Sequence, residues 1–449
     1  MIIKNKHELS TTELRKQALD IIEAGIARVL PPAIMKSAVR YEPVGKILTV
    51  DDYAYHLPRG KVFVIGGGKA SALMAETLEN IITPENIVAG VVTCNAKSRD
   101  YRTGKIKIIE AGHPVPDKGG LNGVKQMLAL KDRYSIDEND LVICLISGGG
   151  SALMPCPVDG VNLKDKQRMT ELLLGCGAEI HEINSVRKHL SKTKGGGLGR
   201  FYSPATVVSL ILSDVIGNDL SVIASGLTYP DPSTFSDAYD VLERYDLLLK
   251  APTNAIAFLR RGCQGEVAET PKTLDNCRNY IIGDNRLALG AMAEKAKEMG
   301  FSPHIVTAEQ KGDTATTAQF RAEEILSARY AGYDAVLIGG ETTPKLPDRA
   351  GKGGRNQHYA AVSMLAMKEY AGEWTLASVG TDGSDFLPNV AGAIVDNNSL
   401  DTAKGKGIDV NSYLDRYDSN TLLKKIGQSL IVTGNTGTNV GDVIVYILK

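Results

Sequence analysis

The sequence predicts an α/β protein built from two α/β domains with largely parallel sheets, and three observations predict it. Short apolar, β-branched runs alternate with helical stretches along most of the chain, the pattern of strands joined by crossover helices. Glycine-rich loops follow several of these runs, as at Gly66-Gly67-Gly68 and Gly148-Gly149-Gly150. The length of 449 residues exceeds what one hydrophobic core usually serves, so two domains are expected.

The elements follow in order. Ser10 and Glu13 have capping-box spacing, and Leu14, Ala18, Ile21, Ile22, Gly25 and Val29 recur at helical intervals before Pro31-Pro32. Strands are expected at Val62–Ile65, Val88–Thr93, Ile106–Ile109, Leu141–Ile146 and Val207–Leu212, with helices at Ser71–Asn80, Gly120–Tyr134 and Leu163–Leu174. The polar stretch Ala251–Asn279 breaks the rhythm and marks the expected boundary. Beyond it come helix Arg286–Met299, strand His304–Thr307, helix Thr314–Arg329, strand Ala335–Ile338, helix Asn356–Lys368, and strands Leu376–Val379, Ser429–Thr433 and Val443–Ile447.

Composition excludes several classes. A formal net charge of -1 and the lack of a basic stripe with interleaved aromatics argue against nucleic acid. No apolar run is long enough to span a bilayer, and the first residues lack the apolar core of a signal peptide, so a cytoplasmic protein is expected. None of the six cysteines forms a Cys-x-x-Cys pair, which argues against a zinc or dithiol site. His113, His189 and His358 show no metal-binding spacing and read as structural.

Ligands of open α/β sheets bind beyond the carboxyl ends of strands, so polar loops there are the candidates. In Gly66-Gly67-Gly68-Lys69 the glycines are expected to turn backbone N–H groups toward one anion, with Lys69 adding a full charge. Ser147-Gly148-Gly149-Gly150-Ser151 repeats the feature after Leu141–Ile146, and Gly353-Gly354-Arg355-Asn356 opens a later helix. Further candidates are Asp214, Asn218 and Asp219, then Glu341 and Thr342, then Thr381, Asp382 and Gly383. The run Asn184–Gly197 is densely basic, with no acidic residue interleaved; Arg187 and Lys192 are its candidates for an anion clamp, and Arg187, Leu190 and Lys194 share a face if the helix continues that far. Two nucleotide signatures are missing. The dinucleotide fingerprint lacks its third glycine at Ser71, and the common phosphate-binding loop lacks Ser or Thr after Lys69, where Ala70 stands.

These motifs together resemble the class II glycerate kinases whose C-terminal part is the MOFRL domain, in their archaeal glycerate 2-kinase form. The resemblance runs in order through Gly66–Ala70, Ala111–Pro114, Ser147–Leu153, Asn184–Ser191, Ser213–Val215, Ser225–Thr228, Gly339–Thr343, Gly353–Gln357, Gly380–Gly383 and Thr436–Asn439. It implies an N-terminal Rossmann-like domain over residues 1–265, a MOFRL-type domain over 266–449, and an active site in the cleft between them. It implies ATP as phosphoryl donor, D-glycerate as acceptor and Mg2+ or another divalent cation. The family's proposed active-site lysine and arginine match Lys69 and Arg355. Asp214 is the expected proton acceptor and Asp382 the expected metal ligand, although these two roles are exchangeable on sequence alone. Some relatives carry the name hydroxypyruvate reductase, against which the failed dinucleotide fingerprint counts. A carboxylate-binding protein without catalysis is the third reading. Oligomeric state, including a homo-oligomer, stays open.

Overall fold

The computed structural model describes residues 1–57, 60–95 and 100–449. The chain forms two compact units: residues 34–282 make one, and residues 1–33 with 283–449 make the other. This division differs from the expected 1–265 and 266–449 in two places. The first 33 residues join the C-terminal unit, and the strand Cys277–Gly283 closes the edge of the sheet before it.

That sheet has six strands in the spatial order Ile106–Glu110, Ile87–Cys94, Val62–Gly67, Leu141–Ile146, Thr206–Leu212 and Cys277–Gly283. Its first five strands pair in parallel, as expected. Every residue of Val62–Gly67 and Leu141–Ile146 is buried, which is why both read as unbroken apolar runs rather than alternating ones. Helices Ser71–Ile82 and Lys118–Tyr134 are among the crossovers. The stretch expected to be irregular holds helix Thr253–Cys263, which packs with Leu163–Gly175, Ile180–His189 and Phe235–Arg244 around a satellite core of Met169, Leu173, Val186, Phe235 and Leu242. A three-stranded antiparallel meander over Val39–His56 escaped the sequence reading, because each strand has only four residues.

In the second unit six strands run in the order Pro303–Gln310, Ala335–Gly340, Asp442–Leu448, Trp374–Gly380, Gly392–Asp396 and Leu430–Ile431. Pro303–Gln310 and Ala335–Gly340 pair in parallel, and the remaining pairs are antiparallel. The last strand of the chain therefore lies inside the sheet, and all seven of its residues are buried. Helix Glu13–Arg28 packs on this unit beside Asn285–Glu298, where Gly25 gives way to Met292. Its cap is Thr12, whose side chain accepts from Arg15 N–H, instead of the expected Ser10, whose hydroxyl bonds back to Lys6. Pro31 does not only end a helix: it opens the next, Pro31–Ala38, where its missing N–H costs nothing.

No helix among the described residues is long and apolar enough to cross a membrane.

Candidate active site

Chain order across the first sheet creates its functional edge. The connection leaving Val62–Gly67 runs to Ile87–Cys94 on one side, and that leaving Leu141–Ile146 runs to Thr206–Leu212 on the other. The two loops at these adjacent carboxyl ends thus flank a topological switch point, where open α/β sheets hold their ligands.

The loops are fastened to one another. Lys69 N–H donates to Gly148 O at 2.9 Å, Ala70 N–H to Ser147 Oγ at 2.9 Å, and Gly68 N–H to Thr93 O at 3.2 Å. A Cβ on Gly68, which sits at φ +153°, would stand 2.1 Å from Ser147 Oγ, and one on Gly67 would stand 2.4 Å from Thr93 Oγ1. These glycines therefore serve close approach. Their N–H groups do not converge on an anion as expected, because the neighbouring strand Ile87–Cys94 and the Ser147–Gly148 loop already engage those of residues 68–70. The available donors lie in the second loop instead. The N–H groups of Gly148, Gly149 and Ser151 meet no protein acceptor among the described residues. Gly150 is fixed by proximity, since a Cβ there would approach Gly67 O to 2.8 Å. Half-buried Lys69 lies beside this loop, its Cγ 3.4 Å from where a Cβ on Gly149 would be.

Ser151 is a hub. Its Oγ accepts from Arg187 Nη2 at 2.5 Å and Lys194 Nζ at 3.0 Å, and its carbonyl accepts from the same lysine at 2.8 Å. Ser225 donates to Asn184 Oδ1 at 3.1 Å, so the 2.8 Å contact between the two serine hydroxyls is donated by Ser151. Ala224 and Ser225, facing this hub, hold left-handed φ values of +50° and +60°, a strain that collects at functional sites. Helix Ile180–His189 ends before Lys194, so Arg187 and Lys194 share no helical face. They meet through tertiary structure, because Gly195 and Gly196 at φ +54° and +80° turn the chain back.

Lys192, expected to bind anion, points away and pairs with Asp159 at 2.6 Å on the surface. The residue the sequence reading missed is Lys166. Its buried ammonium donates to Arg187 O at 3.4 Å and Leu190 O at 3.3 Å, capping the helix that carries Arg187. Burial, with Arg187 nearby, pushes Lys166 down to about 7. Burial and the neighbouring Arg187 and Lys166 hold Lys194 well below its usual value, and burial lowers Arg187 as well.

Asp214 follows Thr206–Leu212, whose Leu210 and Ile211 lie opposite Leu145 and Ile146, so it shares the edge with Ser147. Asn218 takes a left-handed φ of +57°, and Asp219 Oδ1 accepts from Ser221 N–H at 2.8 Å, closing the turn.

The second unit has its own polar edge. Gly340 and Gly380 both lie opposite Asp442 in register, which brings the loops after their strands together. Arg355, at the start of helix Arg355–Ala366, donates from Nε and Nη2 to the two oxygens of Asp442 at 2.6 and 3.0 Å, and from Nη1 to Glu341 at 2.6 Å. Asp442, Glu341 and Asp385 hold the guanidinium above its usual value, over the opposing effect of burial. Buried Asp385 caps the helix by accepting from Asn356 N–H at 3.0 Å and Gln357 N–H at 2.8 Å, while burial raises its carboxyl to about 6. A Cβ on Gly354 would stand 2.1 Å from Asp385 O, and one on Gly383 would stand 1.9 Å from Gly434 O. Asn356 also donates to Asp442 at 3.0 Å and accepts from Ser378 at 2.6 Å. Buried Thr381 bonds Gly441 O at 2.6 Å and Val440 N–H at 2.9 Å, and buried Thr342 accepts from Thr314 at 3.0 Å. Gly354, Asn356, Thr342, Thr381 and Gly383, expected to bind substrate or nucleotide, hold the loops of this edge in place. Asp382 is half-buried and accepts from Ser384 N–H at 2.9 Å.

Among the described residues no group of three or more His, Cys, Asp or Glu is arranged to hold a metal. The half-buried carboxylate of Asp382 is the donor type that a magnesium-like cation takes, one or two at a time, when phosphates bring the rest of its ligands.

A doubly wound sheet with a cationic switch-point edge, joined to a mixed α/β unit, defines the class, and known proteins sharpen it. Residues 17–260 match a family described as a domain of unknown function (DUF4147), and residues 334–442 match the MOFRL family. A glycerate 2-kinase of Pyrococcus horikoshii is 39% identical, covering 96% of this chain and 98% of its own. The crystal structure of a glycerate kinase from Thermotoga maritima superposes with a TM-score of 0.83 at 36% identity, over 97% of this chain and 100% of that one. An Agrobacterium vitis protein named putative hydroxypyruvate reductase is 39% identical over 86% of this chain and 87% of its own. The chain belongs to the class II, MOFRL-type glycerate kinase family.

Proposed function

We propose that the protein transfers the γ-phosphoryl group of ATP to the 2-hydroxyl of D-glycerate, giving 2-phospho-D-glycerate and ADP, in the cytoplasm. The observation that carries this reading is the switch-point edge, where Lys69, Arg187 and the N–H groups of Gly148, Gly149 and Ser151 surround the carboxyl ends of two adjacent strands. Full-length similarity to proteins named glycerate kinase supports the choice of substrates.

Phosphoryl transfer asks for positioning and charge stabilisation more than for covalent chemistry. Lys69 stabilises charge on the transferring group, and the backbone donors of Gly148–Ser151 orient an oxyanion. Arg187 offers the planar fork that suits a carboxylate. Asp214 accepts the proton as the hydroxyl oxygen forms its bond to phosphorus and the bridging oxygen leaves with ADP. Arg355 enters by family resemblance, although Asp442 and Glu341 hold it. Asp382 would hold a divalent cation, which when bound neutralises phosphate charge.

Phosphorus NMR of the product made from D-glycerate, ATP and magnesium tests the reading, because 2- and 3-phosphoglycerate give distinct signals. Absence of any phosphoglycerate overturns it. NADH consumption with hydroxypyruvate instead would install the reductase reading.

A further inference from the structure

Buried cations in this unit fall into two groups. Lys188 has a counter-ion, since its ammonium lies 3.1 Å from the carboxylate of buried Asp231. Arg187, Lys166 and Lys194 have none among the described residues, although they lie within one polar cluster and the two lysines are buried. Burying a charge without a partner costs several kcal/mol, and folds retain such clusters where a ligand brings the missing charge. The bonding pattern says where that charge belongs. Ser151 Oγ is saturated, accepting from both Arg187 and Lys194 and donating to Ser225. Arg187 spends a single N–H on it, which leaves the rest of its planar donor fork without a protein acceptor among the described residues. Arg355 in the second unit is the opposite case, with three donors committed to two carboxylates.

Resting on the kinase reading, we infer that Arg187 and Lys194, bridged by Ser151 Oγ, form the receptor for the carboxylate of the acceptor acid, and that Lys166 positions Arg187 by capping its helix. The chemistry recognised is a small 2-hydroxy carboxylate. Lys194 is then a specificity-determining residue, since a neutral polyol leaves the cluster uncompensated. The suppressed basicity of both lysines agrees with this, because each sits where burial disfavours its charged form until an anion arrives.

The test compares wild type with Lys194→Met and Arg187→Gln, in full-length protein. Charge-assisted bonds of this kind are worth enough for a loss of about 10–100-fold in D-glycerate affinity. Both variants should raise the KM for D-glycerate by that factor and leave the KM for ATP within about two-fold. Lys166→Met should raise the KM for D-glycerate with kcat unchanged, a split that simple loosening of the fold does not produce. Thermal shift reads the same site without turnover: D-glycerate should raise the Tm of wild type and not of Lys194→Met, whereas neutral glyceramide should act equally on both. Lys188→Met supplies the folding control, lowering Tm by stranding Asp231 and sparing the KM for D-glycerate. An unchanged D-glycerate KM in both Lys194→Met and Arg187→Gln overturns the inference. So does a rise confined to ATP, which would make the cluster a phosphate site. A wild type that turns over no D-glycerate defeats the kinase reading, and the thermal-shift arm then decides this one separately.

Discussion

Arg355 grips Asp442 through two N–H···O bonds, and Asp442 lies in register between Gly340 and Gly380 on the innermost strand of its sheet. The pair fixes the loops on that edge as well as the arginine itself. Asp442 is nearly fully buried, so removing one partner strands the other's charge. Arg355→Ala should therefore lose about 3–5 kcal/mol of stability, the usual cost of breaking a buried pair. Denaturant unfolding followed on the second unit measures it; a loss below 1 kcal/mol would show that the pair is replaceable by water.

Lys69→Ala should leave the fold unchanged and remove most turnover. A charge aimed at the transferring group acts chiefly in the transition state, and losing one such donor costs roughly 10²–10³ in rate. Near-normal kcat at saturating substrates would remove Lys69 from the chemistry.

For Asp214→Asn the expected result is a drop in kcat of about 10²–10⁴-fold with little change in the KM for D-glycerate, the signature of a lost general base. Rescue of activity by raised magnesium would make Asp214 the metal ligand and leave the proton to Asp382.

His358 should impose a pH dependence on the second unit. It is buried, bonded through Nδ1 to Ser419 at 2.8 Å and stacked 3.8 Å from Tyr417, and burial lowers its imidazole to about 4. The folded state thus binds fewer protons than the unfolded chain between the ordinary histidine value and about 4. Its contribution to stability is complete above about 6.5 and falls as pH drops toward 4, by roughly 3 kcal/mol in all. His358→Gln should flatten the stability profile across that window; profiles that stay parallel in wild type and variant would refute the assignment.

The loops at Gly66–Ala70, Ser147–Ser151 and Gly353–Asn356 were legible because glycine runs after apolar runs mark where chains must pack backbone to backbone. What each N–H then does was not legible. The donors of Gly68, Lys69 and Ala70 are taken by Thr93, Gly148 and Ser147, distant in sequence, and only strand order reveals that. Lys166 stands among Lys164, Asp165 and Arg168, where a solvated helical face is the natural reading; contact with the end of helix Ile180–His189 buries it. Lys192 and Lys194 are two residues apart in the same basic run, and the turn at Gly195 and Gly196 decides which reaches Ser151. Strand Cys277–Gly283 was hidden by Arg278 and Asn279; the edge strand accommodates them because Arg278 is exposed and Asn279 bonds the hydroxyl and carbonyl of Thr228.

The place of Asp442–Leu448 at the middle of its sheet has a consequence for biosynthesis. Residues 34–282 emerge from the ribosome before Asp442–Leu448 does, and their unit needs nothing from that strand to close. The other unit cannot be joined until the final strand emerges, because Ala335–Gly340 and Trp374–Gly380 pair with that strand and not with each other. Residues 1–33 must wait for residues 283–449, so losing Asp442–Leu448 leaves one closed unit tethered to an unclosed one.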